Sequence, residues 1–241
     1  MILCDFHVHS RFSDGQMTVA ELVDFYGKRG FGAIAITDHL CESESFLGRS
    51  ARWLERSLTE RSFPVYIETI KEQAERALRV YGMIVLPGFE VTKNSLLNHR
   101  SAHVLAIGTD RYVSADQDPL QVAREIRSNG GLAIAAHPVH TGVNEPQTYY
   151  LWNRRHEYAD EFDAWEVASG PVLYNEVRDS GLKLIASSDL HCREQVSSWK
   201  TRVDCERNGE AILDGIREQR VEFVFYMNQM NEQHSGSKLE C

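Results

Sequence analysis

The sequence predicts an α/β protein whose strands gather into a barrel rather than an open doubly wound sheet. Apolar runs recur near residues 2–6, 32–37, 83–88, 102–108, 132–136, 162–167, 182–187 and 221–226, alternating with helix-like stretches. Several are unbroken, as in Gly32-Ala33-Ile34-Ala35-Ile36 and Leu132-Ala133-Ile134-Ala135-Ala136, the pattern of parallel strands buried on both faces. Histidines and carboxylates recur at the ends of almost every run. A barrel brings strand ends to one mouth, whereas an open sheet spreads them along an edge.

The helices between these strands have readable ends. Thr18-Val19-Ala20-Glu21 is a capping box, and Gly30 offers a left-handed stop. Asp118-Pro119 opens a second helix, with proline where no amide bond is lost, and Gly130-Gly131 closes it. Pro171 and Gly181 bracket a third, and Asn208 to Gln219 form the last. A polar stretch from about 42 to 82, with Leu and Ile at helical spacing, reads as a helical insertion. A second excursion covers 140–160, where Tyr149, Tyr150 and Trp152 are expected to be buried rather than to stack a ligand. Met227 to Cys241 lack apolar periodicity and read as a flexible tail, leaving residues 1–226 as one expected domain.

Composition narrows the function. A chain of 241 residues with 42% hydrophobic and 25% charged residues has enough apolar material for a sizeable core. The excess of 35 acidic over 26 basic residues argues against a stable nucleic-acid complex, which needs cations to neutralise phosphates. Five cysteines without a CxxC pair point to a reducing, cytoplasmic setting; Cys4 and Cys192 lie near ligand motifs but read as small packing residues. No basic leader precedes the first strand, and no apolar run approaches a membrane span, so neither secretion nor membrane insertion is expected. Oligomeric state leaves no trace in the sequence.

The chemistry lies in nine residues: His7, His9, Asp14, His39, Glu90, His103, His137, Asp189 and His191. Imidazole and carboxylate are the nitrogen and oxygen ligands of divalent transition metals, and nine are too many for one ion. His7 and His9 are two apart, so on a strand both rings share a face; Asp189 and His191 repeat that spacing. Asp38, beside His39, reads as a group that holds the imidazole rather than a ligand. A glutamate ending an apolar strand, as Glu90 does, needs compensation when buried, and a metal would supply it.

Read in order, "DFHVHSRFSDG" at 5–15, "AITDH" at 35–39, "PGFEVT" at 87–92, "AHVLAIG" at 102–108, "AIAAHP" at 133–138, "AWEVASG" at 164–170 and "IASSDLH" at 185–191 resemble the polymerase and histidinol phosphatase (PHP) family of metal-dependent phosphoesterases. The resemblance implies a distorted seven-stranded (β/α)7 TIM-like barrel with two or three divalent metals (Zn, Mn or Fe). His7, His9, Glu90 and Asp189 match ligands of a first metal. Glu90 also matches a bridge to a second, completed by His103 and His137. Asp14, His39 and His191 match the third; Asp14 takes a position that is histidine in some relatives, and a carboxylate there favours a harder ion such as manganese. Glu166 matches a recurrent acidic position without a ligand role.

The implied activity is hydrolysis of a phosphate ester on a small molecule or nucleotide, with Glu90, Asp189 and His191 carrying catalysis. Cations sharing Glu90 would activate a water for in-line attack on phosphorus. Arg11, Arg154, Arg193 and Arg202 are the nearest cations in sequence for the phosphate. Two alternatives remain at this stage. One is an amidohydrolase-like hydrolase of non-phosphate substrates, disfavoured because no lysine ends a comparable strand, Lys93 being the nearest. The other is a non-catalytic PHP module.

Overall fold

The computed structural model describes residues 1–43, 46–54, 56–94, 101–139 and 149–227. The expected tail lies outside them apart from Met227, as do His99, His140 and His234. The strands are β1 (Ile2–Asp5), β2 (Ala33–Ile36), β3 (His39–Cys41), β4 (Ile84–Lys93), β5 (Ala102–Ile107), β6 (Leu132–Ala135), β7 (Ala164–Ser169), β8 (Val172–Leu173), β9 (Leu184–Ser187), β10 (Ser198–Val203) and β11 (Val221–Tyr226). The helices are α1 (Val19–Gly27), α2 (Phe46–Trp53), α3 (Phe63–Tyr81), α4 (Pro119–Ser128), α5 (Tyr149–Asn153), α6 (Arg155–Tyr158), α7 (Asn175–Arg178) and α8 (Gly209–Arg217). No described helix is long and apolar enough to cross a membrane.

One curled mixed sheet runs β11-β10-β1-β2-β4-β5-β6-β7-β8, with β3 paired to β4 and β9 to β7. The unbroken apolar runs follow from burial on both faces. In β2, Ala33 and Ala35 enter one core cluster, which also takes in Ile212, Leu213 and Ile216 of α8. Ile34 and Ile36 enter the other, which includes the buried faces of α1, α3 and α4. The capping box of α1 is present, with Thr18 N–H donating to Glu21 Oε2 at 2.8 Å and Glu21 N–H to Thr18 Oγ1 at 3.2 Å. Asp118 caps α4 and Asn208 caps α8 through their side chains.

Three expectations need correction. The sheet is an open half-barrel, not a closed seven-stranded barrel, and its ladders are mixed: β4–β5, β5–β6, β1–β10 and β10–β11 are antiparallel. Between β9 and β1 no ladder forms. That gap is crossed by a single bridge between Val8 and Leu190, and Thr201 Oγ1 of β10 bonds both the carbonyl and the amide of Ala186. Second, the stretch from Pro171 to Gly181 is not one helix. Gly170, at φ 58°, turns the chain into the short β7–β8 hairpin, leaving only four residues for α7. Third, β10 is a strand that the apolar pattern does not predict, because Lys200, Thr201 and Arg202 make it read as polar, although Lys200 and Thr201 are fully buried.

The insertion at 42–82 does form helices, and α3 is bolted to the sheet. The Tyr66 hydroxyl accepts the Asp38 N–H at 3.2 Å and lies 2.8 Å from the Gly88 carbonyl. Tyr149, Tyr150 and Trp152 pack against the larger core, with Trp152 edge-on to Trp165.

Candidate metal centre

His7 and His9 follow β1, Asp14 lies in the loop before α1, and His39 opens β3. Glu90 lies within β4, His137 follows β6, and Asp189 and His191 follow β9. His103 reaches the same edge from the start of β5, because β5 runs antiparallel to β4 and pairs His103 with Thr92. The six imidazoles pack closely: ring centroids are 4.1 Å apart for His9 and His191, 4.3 Å for His9 and His39, and 4.8 Å for His103 and His137.

Glu90 is the hub. Its Oε1 lies 2.9 Å from His103 Nδ1, 3.3 Å from His137 Nε2 and 3.6 Å from His7 Nε2. Its Oε2 lies 2.5 Å from His39 Nδ1 and 4.0 Å from His9 Nε2. Asp189 Oδ1 lies 3.3 Å from His7 Nε2 and 3.2 Å from His9 Nε2, while Asp14 Oδ1 lies 3.2 Å from His191 Nε2 and 3.5 Å from His39 Nε2. Among the described residues, four groups have possible ligand atoms within 4.8 Å of one another: His9, Asp14, His39 and His191; His7, His137 and Asp189; His7, His9 and Glu90; and Glu90, His103 and His137.

These residues suit cations. His7 Nε2 and both ring nitrogens of His9 are buried without a well-aligned hydrogen bond among the described residues, a cost of about 1–3 kcal/mol for each such atom. Ligand atoms about 2.0–2.1 Å from a tetrahedral ion stand roughly 3.3 Å apart, close to the spacing of Asp189 Oδ1 from the two Nε2 atoms. His7, His9 and Glu90 have no exposure at all, so these candidate ligands sit in the packed interior and not merely at strand ends.

Several residues hold the set in place. Glu166, assigned no role from sequence, is fully buried on β7; its Oε1 lies 3.1 Å from His7 Nδ1 and its Oε2 accepts the His137 N–H at 2.8 Å. Its setting inside the apolar run Ala164–Ser169 was the available signal. Asp38 does not touch an imidazole through any of its hydrogen bonds. It accepts from Ser10 N–H, Ser10 Oγ and Ser13 Oγ at 2.7–2.9 Å, shaping the loop that carries Asp14. Gly15 closes that loop where a Cβ would meet the His9 carbonyl at 2.2 Å. His137 and Asp189 have φ of 25° and 54°, left-handed backbone that costs non-glycine residues about 1–3 kcal/mol each and marks a constrained site.

Electrostatics differ sharply over a few ångströms. Burial pushes the His9 imidazole down to about 3, helped by His191 and His39 beside it. Burial also opposes charge on His191, but the Asp14 and Asp189 carboxylates carry it up to about 9. Burial would raise the Glu90 carboxyl, yet the His103 and His39 imidazoles hold it well below the usual carboxylate range.

A cavity of about 370 Å³ opens over the centre, lined by Asp14, His39, His103, His137, Asp189 and His191 below and by Cys41, Ala51, Arg56, Thr92 and Asn94 around them. None of the four arginines nearest the motifs in sequence lines it. Arg11 bonds the Gln16 carbonyl, Arg154 stacks on Tyr150, Arg193 lies over Phe25 and Arg202 is exposed on β10. Cys4 is buried with its thiol pushed up by desolvation, and neither it nor Cys192 joins a ligand group among the described residues. A strand lysine does exist: Lys200 is buried on β10, but it faces Asp5 Oδ2 at 3.2 Å and Ser198 Oγ at 2.6 Å. Lys93 is tied to Glu42 and the Ala115 carbonyl.

The family model described as the PHP domain matches residues 5–210. The chain belongs to the PHP domain family. Among solved structures, it is similar to a two-domain protein from Bacteroides vulgatus containing a predicted PHP-like metal-dependent phosphoesterase. That match has 26% identity and a TM-score of 0.64 over 93% of this chain and 65% of the other. PsfC from Pseudomonas syringae shares the fold, with 16% identity and a TM-score of 0.57 over 93% of this chain and 91% of that one. A curated relative, the DNA polymerase/3'-5' exonuclease PolX of Bacillus subtilis, is 23% identical over 225 residues. The PHP chain described here spans 85% of its own length but only 37% of that relative's.

Proposed function

We propose that this PHP domain hydrolyses phosphate esters of small molecules or nucleotides, using two or three divalent metals. The observation that supports this reading best is the convergence of six imidazoles and three carboxylates, five of the imidazoles within 4.0 Å of Glu90, with buried ring nitrogens left without a well-aligned hydrogen bond among the described residues. The similarity to a Bacteroides vulgatus protein containing a PHP-like metal-dependent phosphoesterase points the same way.

In this reading His7, His9, Glu90 and Asp189 hold one ion, Glu90, His103 and His137 a second, and Asp14, His39 and His191 a third. Zinc, manganese and iron all accept this nitrogen and oxygen donor set. Such ions, when bound, supply an activated water and neutralise charge developing on phosphoryl oxygens. The chain's own residues do the rest. Glu90 offers its two oxygens to different imidazoles and so suits a shared ligand. Glu166 orients His7, and the Ser10–Asp38–Ser13 network presents Asp14. Asp189 and His191 face the cavity and, with Glu90, are the residues proposed to act on the substrate. Four unpaired cysteines among the described residues fit a reducing, cytoplasmic setting.

The test is to purify the protein, measure bound metal, and screen phosphomonoesters and phosphodiesters with added manganese. Hydrolysis is expected from the metal-loaded protein. No hydrolysis across a broad panel, with metal bound, overturns the reading.

A further inference from the structure

Among the described residues, one arginine lines the cavity above the candidate ligands, and its surroundings are unlike those of the other arginines near the site. Arg56 follows α2, where its N–H donates to the Ala51 carbonyl at 2.9 Å. The next two residues are buried and stitched to the strand that carries His39. Leu58 N–H donates to the His39 carbonyl at 2.7 Å, and Ser57 Oγ accepts the Cys41 N–H at 2.8 Å. The backbone of Arg56 is therefore fixed against β3, while its exposed side chain lines the cavity.

Among the described residues, that guanidinium makes no hydrogen bond or ion pair, and it is the one Lys or Arg lining the cavity. The cavity's carboxylates are already engaged: Asp14 by His191 and His39, Asp189 by His7 and His9. A planar fork of N–H donors lining such a cavity is matched by an oxyanion with paired oxygens, and phosphate fits that geometry. We propose that Arg56 anchors the phosphoryl group of substrate and product from the cavity wall. The assignment rests on the phosphoesterase reading above and adds to it a phosphate contact on the insertion between β3 and β4.

Calorimetric titration of inorganic phosphate into metal-loaded protein tests it without requiring turnover. Arg56→Ala should weaken phosphate binding about ten- to a hundredfold, the range expected for loss of a charge-assisted contact. Its metal content and thermal midpoint should stay at wild-type values, because the side chain is exposed. Arg202→Ala, which removes an exposed arginine of β10 outside the cavity, should bind phosphate as wild type does. Equal phosphate affinity in wild type and Arg56→Ala would overturn the proposal, as would an equal loss in Arg202→Ala or loss of metal from Arg56→Ala. Absence of phosphate binding by the metal-loaded wild type would overturn it too. A difference in phosphate affinity with no ester hydrolysed would uphold Arg56 as the phosphate contact and defeat the hydrolase reading alone.

Discussion

Glu166 Oε1 lies 3.1 Å from His7 Nδ1, both side chains fully buried, and the other oxygen of the same carboxylate holds the His137 N–H at 2.8 Å. One carboxylate thus fixes the ring of one candidate ligand and the left-handed backbone of another. Carboxylates behind ligating histidines set the tautomer and raise basicity, and their loss costs about 10- to 100-fold in metal affinity or activity. Glu166→Gln should weaken metal binding by that order in a metal-buffered titration. Unchanged affinity would show that His7 needs no such support.

Glu90→Gln should reduce turnover by more than the roughly hundredfold upper figure for supporting residues, because Glu90 is the proposed shared ligand. Its metal content, measured by elemental analysis, should fall as well. His9→Ala should likewise abolish turnover. Wild-type rates in either variant would refute the assigned site.

Asp14 is the most exposed of the three carboxylates, and among the described residues its partners in the salt-bridge range are His191 and His39. With three ions loaded as proposed, Asp14→Ala should therefore lower the metal content by one ion while the other two are retained. Loss of all metal would show that the three groups do not fill independently.

Stripping metal should destabilise the fold. Ligand at a hundred times its dissociation constant stabilises the native state by about 2.7 kcal/mol. For a chain of this size, each kcal/mol moves the thermal midpoint by roughly 2–4 °C. Chelation should therefore lower Tm by about 5–11 °C in a thermal melt, and manganese or zinc should restore it. An unmoved midpoint would mean that the site binds no metal tightly.

Asp5 and Lys200 form a buried pair behind the site, with the Tyr26 hydroxyl and the Ser188 N–H and Oγ also donating to Asp5. Breaking such a pair from one side costs about 3–5 kcal/mol. Lys200→Met should lose that much in urea unfolding, and Asp5→Asn combined with Lys200→Met should lose less than the two single losses added. Burial lowers the Lys200 pKa despite the attraction of Asp5. The unfolded chain then binds the proton more tightly, so this lysine's contribution to stability rises as pH climbs from the depressed value toward the free-lysine range. Lys200→Met should remove that alkaline slope.

Much of this molecule was legible in one dimension because its signals are local. Unbroken apolar runs such as Ala33–Ile36 report burial on both faces, and Thr18 with Glu21 reports a helix start, whatever the rest of the chain does. The nine candidate ligands stood out for the same reason: His and carboxylate are costly at the ends of buried strands unless something compensates them. Tertiary structure decided what depends on partners distant in sequence. The antiparallel β4–β5 ladder brings His103, thirteen residues from Glu90, back to the same edge. Glu166 meets His7 across 159 residues, and Asp5 meets Ser188 across 183. Strand order left the sheet an open half-barrel, because the side-chain pattern specifies which faces are buried but not which edges pair. Arg56 was invisible among other surface arginines until the buried Ser57–Leu58 step fixed it beside His39, since only folding could tell a cation at the cavity from one in water.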